Sequence, residues 1–284
     1  MLGETVARFF VPEACSGTTT GVGLASLLAR SSVLRVKEEA EELAGGNASG
    51  SVLRVGDTVR KPWLENSAAV QKYLRVLQVA GLDVPKPLGR DHAGRHVTEY
   101  VEGVSALDQL PLGKHDLLRV GRLIRQIHDA SEGFELPDTT GWNVLLPAEN
   151  PNLMCHNDLA PWNFIMGERW VFIDWDAAGP STRLWDLAYA AQSFGMLFEG
   201  QPVPEAAARL RAVVDGYGPD EILREALPEA LGKRTAAMHG LLKSSHETGV
   251  QPWADMYVNG HGAHWHTAAD YVLRNHDAWK QALT

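Results

Sequence analysis

Cysteine is scarce in this chain: Cys15 and Cys155 are the two in 284 residues. Two distant thiols build neither a disulfide framework nor a four-ligand zinc site, so a reduced, cytoplasmic protein is expected. Basic charge is also short, with 26 Lys and Arg against 35 Asp and Glu, a net charge of −9. A nucleic-acid binder needs a basic footprint to displace counterions from phosphates, so no nucleic-acid partner is expected. That field suits a cationic small molecule better than an anionic one. Long hydrophobic runs are missing too, and nothing approaches the ~20 apolar residues of a membrane span. Glu4 precedes any basic residue, and the apolar piece Leu24–Ala29 is short and lacks the charged start of a signal peptide. Neither membrane association nor export is expected. Three further signatures are absent: the G-x-x-x-x-G-K-[ST] P-loop, a G-x-G-x-x-G between strand and helix, and a G-x-S-x-G nucleophile elbow. Their absence removes the main competing nucleotide-binding and hydrolase folds.

What is present looks globular. Hydrophobic residues make up 45% and charged residues 21%, which excludes wholesale disorder, collagen-like repeats and a coiled-coil rod. Residues 1–40 form an extension of unknown role and lead into the helical-looking acidic run Lys37–Gly46. From there the pattern turns to strands, with two β-branched segments meeting at Gly56-Asp57 as a two-residue hairpin. Val70, Leu74, Leu77 and Ala80 then recur at helical spacing and Gly81 stops the run. Two more strands flank the turn Asp91–Arg95. Residues 41–103 thus read as a small β-rich lobe with one helix, and 104–284 as a larger, mostly helical lobe. The second lobe holds the helix Leu117–Ala130, a hairpin turning at Gly167-Glu168, and several later helices. The expected fold class is α+β and bilobal.

The strongest signal is His156-Asn157-Asp158-Leu159-Ala160-Pro161-Trp162-Asn163, followed by Ile173-Asp174-Trp175-Asp176. Asp158 and Asn163 lie five apart on a proline-containing loop, where both side chains can turn into one cleft. Asp174 ends an apolar strand that aims its carboxylate at the same place. Two carboxylates and an amide oxygen are hard-oxygen donors and suit Mg²⁺ better than zinc. A carboxylate not used by the metal could accept a proton from a hydroxyl, the arrangement that phosphoryl transfer needs.

These residues resemble the aminoglycoside phosphotransferase family of the kinase-like fold, which includes antibiotic, choline and homoserine kinases. HNDLAPWN with RLWDLAYAA is especially similar to bacterial small-molecule phosphotransferases, some of them trifolitoxin-immunity-like. The order of elements extends the likeness over residues 41–284, and residues 150–190 carry its specific part. The resemblance implies a protein-kinase-like bilobal fold, ATP and Mg²⁺ as cofactors, and a small hydroxyl-bearing acceptor. By position it makes Asp158 the catalytic base, Asn163 and Asp174 the magnesium ligands, His156 a structural member of the loop, and Asp186 its brace. Gly45–Val52 approximates the kinase glycine-rich loop, with Val52 over the adenine and Asn47 in place of the middle glycine. Thr98–Val101 corresponds to the connection between lobes, where the backbone of Glu99 and Val101 would meet the adenine edge.

The phosphate-binding lysine is a question of register. With Gly56-Asp57 as the turn, Val55 pairs with Thr58, Arg54 with Val59 and Val52 with Lys61. Lys61 then shares a face with Val52 and Val59, and Arg60, the alternative, points the other way. One departure stands out: the next helix offers Val70, Gln71 and Lys72 where kinases place a glutamate to pair with the lysine. Gln71 could hydrogen-bond the lysine but supplies no charge. Trp162 and Trp175 border the cleft, and the histidines of Gly260–His266 read as core or surface residues. The leading expectation is a small-molecule kinase acting on a hydroxyl, with a cationic antibiotic as one acceptor class. The alternatives are a non-catalytic binding or immunity protein on the same scaffold, and a metabolic kinase for an amino alcohol or sugar.

Overall fold

The computed structural model describes residues 40–43, 51–134, 142 and 144–284. The stretch 1–39 and the glycines of Gly45–Gly50 lie outside the described residues. The first lobe is a five-stranded antiparallel sheet. Its strands are β1 (Ala40–Glu42), β2 (Leu53–Val55), β3 (Thr58–Lys61), β4 (Pro87–Arg90) and β5 (His96–Glu99), in spatial order β1-β2-β3-β5-β4. The hairpin register is the expected one, Val55 opposite Thr58 and Arg54 opposite Val59, because Gly56 supplies the positive φ of 58° that the two-residue turn requires. The acidic run is a correction. Its Ala40–Glu42 is a strand paired with β2, not helix. All three residues are exposed, so the segment has no apolar stripe for a helix to bury, and the open edge of β2 takes its backbone instead.

Helix α1 (Ser67–Val79) buries Val70, Tyr73, Leu74 and Leu77. The Tyr73 hydroxyl lies 2.6 Å from Ser131 Oγ and 3.0 Å from the Met154 carbonyl, both in the second lobe. One continuous core therefore runs from α1 into the helices beyond. The second lobe contains β6 (Val104–Ser105), α2 (Lys114–Ser131), β7 (Leu153–Cys155), β8 (Phe164–Met166), β9 (Trp170–Phe172) and β10 (Gly179–Ser181). Helices α3 (Arg183–Gly195), α4 (Val203–Tyr217), α5 (Glu221–Thr248), α6 (Trp253–Met256), α7 (Gly262–Arg274) and α8 (His276–Leu283) complete it. Helices α2 and α4 pack at backbone distance: a Cβ on Gly121 would lie 2.1 Å from the Val213 carbonyl, and one on Gly216 2.2 Å from that of Leu118. No described helix is long and apolar enough to cross a membrane.

Candidate active site

The loop after β7 is built from the inside out. β7 is wholly buried and delivers His156 into the core, where its Nε2 lies 3.0 Å from the Ile173 carbonyl. The backbone N–H of Asp158 donates to His156 Nδ1 at 3.3 Å, and the ring packs on Trp175 with centroids 4.4 Å apart. His156 thus joins the loop to the strand end before Asp174. Asn157 takes a left-handed conformation at φ 64°, which an Asn tolerates better than most residues. Its N–H donates to Asp186 Oδ1 at 2.9 Å, and its side-chain amide donates to the carbonyls of Ala177 and Gly179. Asp186 stands in the first turn of α3 with its second oxygen 3.0 Å from His128 Nε2. The other ring nitrogen of His128 is 2.9 Å from the Tyr217 hydroxyl. Among the described residues, Asp186, His128 and Cys155 are the one cluster of three or more His, Cys, Asp or Glu side chains close enough together to hold a metal, but the first two are already engaged in bracing the loop.

At the mouth of the loop, the buried Asn163 donates its amide to Asp158 Oδ2 at 2.8 Å and to the Asp158 carbonyl at 3.1 Å. The Asn163 carbonyl oxygen is therefore turned away from Asp158. Burial pushes the Asp158 carboxyl up; His156 pulls it down and the charge of Asp174 pushes it up again, and the net shift is upward. Asp158 also shares a hydrogen bond with the Tyr189 hydroxyl. Over the Tyr189 ring, 4.2 Å from its centroid, lies the buried guanidinium of Arg234, whose Nη2 donates to the Asn157 carbonyl.

Asp174 occupies a left-handed position at φ 58°. Its neighbour Ile173 donates a backbone bond to the Asn163 carbonyl at 2.9 Å, so the loop and the strand end are held side by side. Lys61 reaches this point from the first lobe, with Nζ 2.7 Å from Asp174 Oδ1 and 2.7 Å from Asp176 Oδ1. Burial alone would raise the Asp174 carboxyl, but the Lys61 ammonium outweighs it and holds the group below the usual carboxylate range. Arg60 faces elsewhere, its Nη1 3.7 Å from Asp91. An ionised carboxylate from Asp174 and the amide oxygen of Asn163 are hard-oxygen donors, a set that fits a divalent cation such as Mg²⁺.

Other candidates sit farther out. Val52 is half-buried just before β2, and its carbonyl accepts from the Leu43 N–H. Val101 is buried. The Glu99 N–H is spent on the Lys86 carbonyl, and its carboxylate pairs with Arg169 of the β8–β9 turn, which also grips Asp83. Gln71 does not reach Lys61. It bridges the sheet edge instead, donating to the Val97 carbonyl at 3.0 Å and accepting from the Gly89 N–H at 3.0 Å, because its place on α1 faces β4 and β5. Trp162 and Trp265 line a small apolar pocket with Leu107, Leu110 and Phe198. His261 is buried and the His264 ring packs against Phe198 and Trp265. Sequence reasoning missed Asp176, Tyr189, Arg169 and Arg234. Asp176 was visible inside the Asp-Trp-Asp motif, whereas the others act across elements far apart in sequence.

Known proteins resemble this chain in sequence and in fold. Residues 135–222 match the model of the APH family, described as the phosphotransferase enzyme family. The trifolitoxin immunity protein of Rhizobium leguminosarum bv. trifolii is 26% identical over 260 residues, covering 85% of this chain and 97% of its own. Amicoumacin kinase hAmiN, solved with AMP-PNP, Ca²⁺ and Ami, superposes with a TM-score of 0.60 at 14% identity, over 85% of this chain and 89% of that one. The microcompartment-associated aminopropanol kinase gives 0.55 at 16% identity, over 87% and 94%. The resemblance read from the loop motifs is borne out, and the fold is kinase-like and bilobal.

Proposed function

We propose that this protein is an ATP-dependent phosphotransferase that moves the γ-phosphoryl group to a hydroxyl of a small molecule. The observation that carries the proposal is the meeting of Lys61 with Asp174 at 2.7 Å, beside a loop in which Asn163 orients Asp158 at 2.8 Å. Asp158 would accept the hydroxyl proton as the acceptor oxygen bonds phosphorus and the bond to ADP breaks. Its raised pKa makes it a better base than an ordinary carboxylate. Asn163 fixes its orientation, and His156 and Asp186 hold the loop. Lys61 would steady the phosphates, with Val52 and the Glu99–Val101 backbone around the adenine. A divalent cation held by Asp174 and Asn163 would offset charge on the phosphates. The chain's acidity makes cationic antibiotics and amino alcohols the first acceptors to test, and ATP as donor agrees with the cytoplasmic location expected from the cysteine count.

A second reading, a binding or immunity protein on the same scaffold, is favoured by the immunity relative and by the missing helix carboxylate. Calorimetry with MgATP on the wild type and on Asp174→Ala tests the first reading. Metal-dependent binding that Asp174→Ala abolishes is the expected result. A folded wild type that binds neither ATP nor GTP would overturn it in favour of the binding protein.

A further inference from the structure

The helix that carries the lysine's glutamate in kinases has none to offer here. Gln71, which occupies that stretch of α1, is committed to the backbone of β4 and β5. Lys61 is nevertheless 93% buried, and an ammonium so far from water persists only with close counter-charge. Two carboxylates supply it, and they are unlike. The Asp174 side chain is 33% exposed and Asp176 only 13%, so Asp174 faces the cleft and Asp176 lies behind it. Asp176 is also fixed from below, because Asn66, the buried N-cap of α1, donates its amide to the Asp176 carbonyl at 2.8 Å. His96 of β5 also faces Asp176, with Nδ1 3.9 Å away. Its imidazole, held neutral by burial and by the Lys61 charge, brings no competing cation.

We propose that Asp176 is the anchor of Lys61, doing from the Asp-Trp-Asp segment what the helix glutamate does in kinases. Asn66 is the link through which α1 still reaches the lysine. This inference rests on the phosphotransferase reading for its purpose, since an anchored lysine is useful where phosphates are held. It divides the two aspartates: Asp174 is free to exchange Lys61 for a cation, while Asp176 keeps the ammonium in place throughout. It also removes the switch that a helix-borne glutamate makes possible, because the lysine's partner and the proposed metal ligand share one short, braced segment.

The test is the acylation rate of Lys61 in the full-length, nucleotide-free protein, followed by peptide mass spectrometry. Losing Asp176 removes one of the two carboxylates that tether the buried amine, so Asp176→Asn should label about tenfold faster, that factor being ~1.4 kcal/mol of lost ion-pair stabilisation. Asp176→Glu should restore most of the protection. Gln71→Glu should leave the rate unchanged, because that side chain faces the sheet edge. An unchanged rate in Asp176→Asn overturns the proposal, and should that variant not fold, a rate in Asp176→Glu equal to that of an exposed lysine does the same. A Mn²⁺ titration separates anchor from ligand. The anchor role predicts that Asp176→Asn weakens the cation by less than about threefold, whereas loss of a ligand, as in Asp174→Asn, costs tenfold or more; equal losses in the two variants overturn it. Neither readout needs nucleotide, so a wild type that fails to bind MgATP sinks the phosphotransferase reading without deciding this one.

Discussion

Asp158 is oriented from two sides. Asn163 donates to one carboxylate oxygen, and Tyr189, stacked under Arg234, contributes a hydroxyl. As the proposed base, a carboxylate held this way would transfer protons from one geometry, and proton transfer by a positioned group contributes roughly 10²–10⁴-fold. Tyr189→Phe removes one of the two constraints and no bulk. It should lower kcat by about tenfold, a part of that range, while leaving the dissociation constant for MgATP unchanged. Initial rates and calorimetry on the same preparation check both halves, and a fall in nucleotide affinity with kcat intact would contradict the assignment. Much of this was legible in sequence. Asp158, Asn163 and Asp174 announced themselves by spacing and residue type, and Lys61 followed from a two-residue turn whose glycine fixes the register. Tyr189 and Arg234 did not, because neither residue type nor spacing shows that α3 and α5 converge on the loop.

Among the elements, strand pairing and helix packing were unequally readable. Helices α1 and α2 announced themselves by an apolar stripe at helical spacing, and the β2–β3 hairpin by its turn. Ala40–Glu42 misled, since acidic residues are good helix formers and a free edge on β2 overrides that preference. Gly121 shows another limit. Inside α2 it looks like a mildly unfavourable helix residue, but its purpose is the approach of α4, visible only once both helices are in place. Gly121→Ala should therefore destabilise, by about 1–3 kcal/mol of overpacking, where an exposed helical glycine would gain from the same change. Urea midpoints decide the sign, and a stabilised variant would mean that α2 and α4 lie farther apart.

The whole molecule carries a pH signature. Burial pushes the His96 imidazole down to about 4 from an ordinary value near 6.5. Between those values the unfolded chain takes up a proton at this residue that the native protein refuses, so stability falls as pH drops from about 6.5 to about 4 and levels off below. His96→Gln should flatten that part of the curve of urea midpoint against pH. An unaltered slope would assign the acid sensitivity to other groups.

Tyr73 adds a mechanical consequence. Its hydroxyl, tied to Ser131 and Met154 across the lobe boundary, acts as a rivet sunk into the joint. Rotation about the ring leaves both bonds intact, whereas sliding one lobe past the other tears two buried polar contacts at once. Any opening of the cleft would then cost least as a pivot about this joint and most as a slide across it.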